Sequence, residues 1–252
     1  MLIDTHCHLD QLQDPAAVLR EAALHSVAQV VAVSENPTSM GAVLDLKKTH
    51  GEQVLAGLGL HPAWIVQQSR AALDAGLEFL ASHLERADEL GEVGLDHKWA
   101  LNPEQQILQE EILDRQFALA ADCGKPANLH SRRCQRQVME KAIEFHRETG
   151  LNAQLHWFTQ SKKLVRICNQ EGIYISVGPT FLDNPQTQEV ALAIADELLL
   201  LETDAPVPVD GRAGHPARVR EVACKLAELK NCSWQDIADL TSANFARYLG
   251  ST

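Results

Sequence analysis

Eight short apolar runs recur along the chain, at 2–3, 27–33, 54–60, 90–95, 126–129, 152–155, 173–177 and 198–201. Each is largely continuous rather than alternating between apolar and polar residues. That is the pattern of strands buried on both faces, as in a parallel sheet. Between the runs lie segments with helical start and stop signals. Asp14-Pro15, Asn36-Pro37, Asn102-Pro103 and Asn184-Pro185 each pair an N-cap side chain with a proline suited to the first helical turn. Gly124, Gly150 and Gly172 close three of the stretches. The predicted helices cover 14–25, 36–50, 69–86, 102–124, 134–149, 161–171 and 184–195. Two more follow the last strand, at 216–229 and 233–249, the second opened by a Ser233/Asp236 capping box.

Eight strands alternating with helices over 252 residues predict a (β/α)8 TIM barrel, an α/β fold of typically ~250 residues. A doubly wound open sheet is the alternative, but no G-x-G-x-x-G turn follows the first strand. No Ser/Gly/Pro-rich linker or low-complexity tract divides the chain, so 1–252 is expected to form a single domain. The net charge of -12 argues against a groove binder that neutralises many phosphates. It leaves room for an enzyme acting on nucleic acid, because bound metal ions supply local positive charge. Six cysteines without C-x2-C spacing point to reduced thiols and a cytoplasmic location. Asp4 interrupts the apolar start, so a signal peptide is not expected. No run approaches the ~18 apolar residues of a membrane span.

The first strand runs directly into His6-Cys7-His8. Residues two apart on a strand share a face, so both imidazoles can point at one place while Cys7 points away. In a barrel of this kind the active site lies at the C-terminal ends of the strands. His61 ends the third strand, His130 the fifth, His156 the sixth and Asp204 the eighth. Glu92 lies in the fourth, with Asp96 just beyond it. The fold thereby gathers five histidines and at least two carboxylates at one rim. Imidazole and carboxylate together suit zinc, manganese or iron, and magnesium where carboxylates and substrate oxygens dominate. The set exceeds what one tetrahedral ion needs. A bridging carboxylate with an ion on each side would use it fully, and two ions ~3.5–4 Å apart suit phosphoryl displacement.

Other residues near the rim carry two readings each. Arg132 and Arg133 suit either a phosphate or a surface salt bridge, with Arg132 the better placed. Trp157 and Phe158 suit base stacking or rim packing. Ser131 and Cys134 are expected to be a metal-side hydroxyl and an ordinary helix cysteine rather than nucleophiles.

Taken together, Asp4-Thr5-His6-Cys7-His8-Leu9-Asp10, Gly59-Leu60-His61-Pro62, Gly91-Glu92-Val93-Gly94-Leu95-Asp96, His130-Ser131-Arg132, His156-Trp157-Phe158 and Leu201-Glu202-Thr203-Asp204-Ala205-Pro206 resemble the TatD family of metal-dependent deoxyribonucleases. The resemblance spans nearly the whole chain and implies a barrel with two divalent ions (magnesium, manganese or zinc). Carried over, His6, His8, Glu92 and Asp204 would hold one ion and Glu92, His130 and His156 the other, with Glu92 bridging. His61 would bind the scissile phosphate or assist proton transfer. Asp204 would also orient or deprotonate the attacking water, and Glu202 would be a supporting carboxylate. Two motifs depart from the family pattern. Trp157-Phe158-Thr159-Gln160 follows His156 where Cys-Phe-Ser-Gly is common, and Ala213-Gly214-His215-Pro216 stands where Arg-Asn often precedes a proline. Both departures touch substrate-side positions, and His215 becomes a candidate substitute substrate contact beside His61 and Arg132.

The implied activity is a metal-dependent phosphodiester hydrolase. The expected substrate is DNA, cut exonucleolytically at single-stranded ends by a chain that is a monomer or weak oligomer and contacts no membrane. Two rivals stand beside it. One is a metal-dependent hydrolase of an aminoacyl ester, lactone or amide. The other is a non-catalytic barrel serving as a subunit of a larger assembly.

Overall fold

The computed structural model describes residues 1–158 and 161–250. Its strands are β1 (Leu2–Cys7), β2 (Val27–Val33), β3 (Val54–Leu58), β4 (Glu89–Asp96), β5 (Ala127–Arg132), β6 (Ala153–Leu155), β7 (Tyr174–Val177) and β8 (Leu199–Leu201). The helices are α1 (Pro15–Leu24), α2 (Pro37–His50), α3 (Pro62–Ile65), α4 (Arg70–His83), α5 (Pro103–Cys123), α6 (Gln135–Thr149), α7 (Lys162–Glu171), α8 (Pro185–Ala191), α9 (Val219–Lys230) and α10 (Trp234–Tyr248). The strands form one parallel sheet in the order β1 to β8, each pairing with the next. Eight parallel strands with intervening helices make the expected TIM barrel. No helix among the described residues is long and apolar enough to cross a membrane.

The Asp/Asn-Pro signals act as expected. The side chains of Asp14, Asn36, Asn102 and Asn184 each accept a backbone N–H in the first turn of α1, α2, α5 and α8. Gly124, Gly150 and Gly172 take the left-handed conformation past α5, α6 and α7, and the capping box opens α10. Two helices are shorter than predicted, and in α4 the last turn, Leu84–Arg86, is 3-10. α8 ends at Ala191 because Asn169 of α7 captures the Ala193 carbonyl and the Ala195 N–H, pulling the chain out of helical geometry. Residues 216–218 form a separate 3-10 turn ahead of α9.

Strand alternation sorts side chains onto two faces. Val30 and Ala32 of β2, and Leu199 and Leu201 of β8, join the large cluster between sheet and helices. Val31, Val33 and Leu200 point the other way, into a smaller cluster inside the barrel with Tyr174, Phe245 and Tyr248. Phe245 and Tyr248 belong to α10, which therefore plugs the end where the strands begin. Asn152 at the head of β6 donates to the Tyr248 carbonyl, and Asn244 of α10 donates to the Leu199 carbonyl. Fully burying each such Val, Leu or Phe is worth about 1.5–3 kcal/mol.

Two strands break the alternation. Leu2 and Cys7 both face the outer cluster, although five positions apart they should face opposite ways. The β1–β2 register shifts between Asp4 and Cys7. Leu90 and Val93 likewise share the outer cluster, and the β4–β5 register shifts between them. Such irregularities re-aim side chains, and they recur beside functional sites.

The barrel seam is closed beyond the ladder. Asp4 accepts from the Thr203 backbone N–H at 2.9 Å and from its hydroxyl. The Thr5 hydroxyl donates to the Leu201 carbonyl at 3.0 Å. The Asp204 N–H donates to the His6 carbonyl at 2.9 Å and the His8 N–H to the Ala205 carbonyl at 2.7 Å. The seam thus sets Asp204 beside His6 and His8.

Candidate metal centre

The strand ends converge on one carboxylate. Glu92 projects inward from β4, and its two oxygens face different partners. Glu92 Oε2 lies 3.5 Å from His6 Nε2 and 3.3 Å from His8 Nε2. The same two nitrogens lie 3.7 and 3.3 Å from Asp204 Oδ1. Glu92 Oε1 lies 2.8 Å from His130 Nδ1, 2.9 Å from His156 Nε2 and 3.6 Å from His61 Nε2. All of these side chains are buried apart from His130, which is partly so. His6 and His156 stack face to face with centroids 3.9 Å apart.

Several far-side atoms orient these rings. His130 Nε2 meets Asp96 Oδ2 at 3.1 Å. In the neutral ring that carboxylate takes the N–H on Nε2 and Nδ1 keeps a lone pair toward Glu92, while Asp96 and Glu92 outweigh burial and raise the pKa of the ring. His156 turns Nδ1 toward Glu202 at 3.6 Å. Glu202 is occupied, accepting the Trp157 N–H and the Ser176 hydroxyl, each at 2.7 Å. It supports the ring rather than lining the cavity. His61 caps α3, its Nδ1 accepting the Ala63 N–H at 3.1 Å.

Burial opposes charge on every group here, and the neighbours decide the outcome. For Glu92, burial raises the pKa, but His61, His156, His6 and His130 together hold it well below the usual carboxylate range. For Asp204, burial is likewise outweighed by His8, His6 and His156, and the pKa falls. Burial disfavours cationic His8, yet Asp204 and Glu92 raise its pKa well above normal. His61 goes the other way, since burial lowers its pKa to about 3 despite the nearby Glu92. The pocket therefore holds ionised carboxylates that draw in positive charge.

The residues fit a divalent metal. His6, His8 and Glu92 bring ligand atoms within 4.8 Å of one another, and so do His61, Glu92 and His130. His6 Nε2 is buried without a hydrogen-bond partner, facing two carboxylate oxygens. Imidazole nitrogens around ionised carboxylates make a donor set suited to zinc or manganese. His6, His156 and Glu202 form a third such group, but the bonds already made by Glu202 oppose its use as a ligand.

Above this cluster opens a cavity of about 370 Å³. His8, His61, Glu92, His130, His156 and Asp204 form its floor, with Ser131, Arg132 and Trp157 higher on the wall. Eight of the nine sequence-predicted ligands and substrate contacts, namely His6, His8, His61, Glu92, His130, Arg132, His156 and Asp204, thus lie at one site. His215 does not. Its Nδ1 accepts the Ala217 N–H at 3.1 Å as a turn cap, and its Nε2 lies 3.5 Å from Glu21 of α1. It is not among the lining residues, because the loop after β8 turns it toward α1. Trp157 donates its indole N–H to Thr180 at 2.9 Å, which anchors it to the wall. Thr159 and Gln160 lie outside the described residues. Glu35, Trp99 and Val207 also line the cavity and were missed in the sequence. Glu35 stood in view, directly after the second strand and before the Asn36-Pro37 cap, where the strand-end rule would have found it.

Comparison with known proteins fits this architecture. Residues 3–250 match the family described as TatD related DNase. A Bacillus subtilis relative, the metal-dependent hydrolase YabD, is 30% identical, with 98% of each chain covered. Human deoxyribonuclease TATDN3 is 28% identical over 96% of this chain and 92% of its own. The crystal structure of YJJV, a TatD homologue from Escherichia coli, superposes with a TM-score of 0.86 at 28% identity, covering 98% of this chain and 97% of that one. A match from the first strand to the last helix, over a barrel whose strand ends gather histidines around one carboxylate, gives a plain conclusion: the chain belongs to the TatD family of metal-dependent hydrolases.

Proposed function

We propose that this protein hydrolyses phosphodiester bonds in DNA, trimming single-stranded ends, with two divalent ions bridged by Glu92. The observation that carries the reading is the division of Glu92. One oxygen faces His6 and His8 beside Asp204, and the other faces His130 and His156. These are two donor sets sharing one carboxylate. Two divalent ions held there would neutralise phosphoryl oxygens and lower the pKa of water.

The remaining roles belong to the chain. Because His61 Nδ1 accepts the Ala63 N–H, a neutral ring carries its proton on Nε2, which points into the cavity. His61 is thus a hydrogen-bond donor to a phosphate oxygen, and its low pKa keeps it in that form at neutral pH. Asp204 faces the same space with an ionised carboxylate and accepts the proton of the attacking water. Arg132 supplies an exposed cation at the cavity and draws the phosphate in. The cavity volume suits a terminal nucleotide rather than a length of duplex, in keeping with a chain whose net charge is -12.

The test is metal-stripped protein resupplied with magnesium, manganese or zinc, incubated with end-labelled single-stranded DNA beside Glu92→Ala. Stepwise shortening that needs metal and vanishes in the variant supports the reading. Metal binding without shortening by any of the three ions overturns it and moves attention to ester, lactone and amide substrates.

A further inference from the structure

A belt of buried polar side chains crosses the barrel interior beneath the candidate centre. Gln154 of β6 donates to the hydroxyls of Thr5 and Ser176, each at 3.0 Å. Asn128 of β5 joins the belt to His6 and to Glu89 at the head of β4. Asn128, Glu89 and His6 are all fully buried.

The geometry fixes which way the Asn128 amide points. Its Nδ2 lies 3.1 Å from the Thr5 carbonyl oxygen and 2.8 Å from Glu89 Oε1. A backbone carbonyl can only accept, so the atom facing it must be the amide nitrogen. The amide oxygen is then the atom 3.1 Å from His6 Nδ1. That oxygen also only accepts, so His6 Nδ1 carries a proton, and in the neutral ring a metal requires Nε2 carries the lone pair. Nε2 points at Glu92 Oε2 and Asp204 Oδ1, 3.5 and 3.7 Å away. His6 thus adds a third acceptor facing the two carboxylate oxygens and offers them no hydrogen, an arrangement that a cation satisfies.

We propose that Asn128, braced by Glu89 and the Thr5 carbonyl, is the positioning residue that makes His6 present Nε2 to a divalent cation. The inference rests on the metal reading of the preceding section and adds residues to it from the closed side of the barrel. Outer partners of this kind fix ring orientation and raise ligand basicity, and losing one typically costs about 10–100-fold in metal affinity. Glu89 matters as an acceptor for the second amide hydrogen, a role that Gln can also fill.

The test uses the whole protein loaded with zinc and labelled with 15N-histidine. In the wild type, long-range 15N spectra are expected to show His6 protonated at Nδ1 and bound to zinc through Nε2. Zinc titration should then show Asn128→Leu weakened by about 10–100-fold and Glu89→Gln within about threefold of wild type. Zinc bound through His6 Nδ1 in the wild type overturns the proposal, whether or not any variant folds. Unchanged zinc affinity in a folded Asn128→Leu also overturns it while leaving the metal centre standing. A wild type that binds no divalent ion sinks the metal reading itself.

Discussion

Replacing Glu89 with Gln tests whether the carboxyl under the centre is held neutral. Glu89 is fully buried among Asn128, Tyr248 and the barrel wall. Burial raises its pKa from 4.5 to about 8, only partly offset by Asn128 and Tyr248. Between those two values the folded chain keeps a proton that the unfolded chain releases. Stability from this group is therefore complete below about pH 4.5 and falls as pH rises to about 8. At about 1.4 kcal/mol per unit, the full span is worth roughly 5 kcal/mol, an upper figure because the surroundings relax. Gln mimics the protonated acid. Its Oε1 can accept from Asn128, and its amide can reach toward the Tyr248 hydroxyl. The assay is urea unfolding of both proteins, metal-free, at pH 5, 7 and 9. The two should agree within about 1 kcal/mol at pH 5, and the variant should lead by several kcal/mol at pH 9. A gap that stays constant with pH, or widens toward acid, refutes a neutral buried Glu89.

Two further outcomes follow from local geometry. Gly94 sits at φ +140, and a Cβ there would lie 2.1 Å from the His130 carbonyl oxygen. Gly94→Ala should cost more than about 4 kcal/mol, read as a lost or sharply lowered melting transition, because the obstacle is backbone of the adjoining strand. Arg132 lines the cavity with an exposed side chain and joins the barrel through its backbone. Arg132→Ala should raise KM for a DNA end about tenfold at unchanged melting temperature, an effect that fades with added salt, since an exposed charged contact is worth only about 1–2 kcal/mol. A KM that is the same at both salt levels would remove Arg132 from phosphate binding.

Much of the site was legible because a barrel turns sequence position into spatial position. Once 54–60 or 152–155 is a strand, His61 or His156 must stand at its C-terminal end, and all eight ends meet at one rim. Helix starts were legible because an Asp or Asn before proline acts within a single turn, as at Asn36 and Asn102. The end of α8 was not, because Asn169 competes for its last backbone groups from a neighbouring helix. His215 was placed from a motif alone, and the loop after β8 turned it toward Glu21.

The sequence by itself determined the strand count, the parallel order and the strand positions of His6, His8, Glu92, His130, His156 and Asp204, since these depend on local pattern and chain order. Tertiary structure decided where those side chains point. The breaks in β1 and β4 shift the alternation so that Leu2 and Cys7, and Leu90 and Val93, face outward together. The seam sets Asp204 beside His6 through bonds between residues about two hundred positions apart. Asn128 selects the nitrogen His6 offers, through a hydrogen bond across 122 positions. Strand phase, seam and ring tautomer each depend on a hydrogen-bond partner from a distant stretch of chain, and such a partner exists only once the barrel has closed.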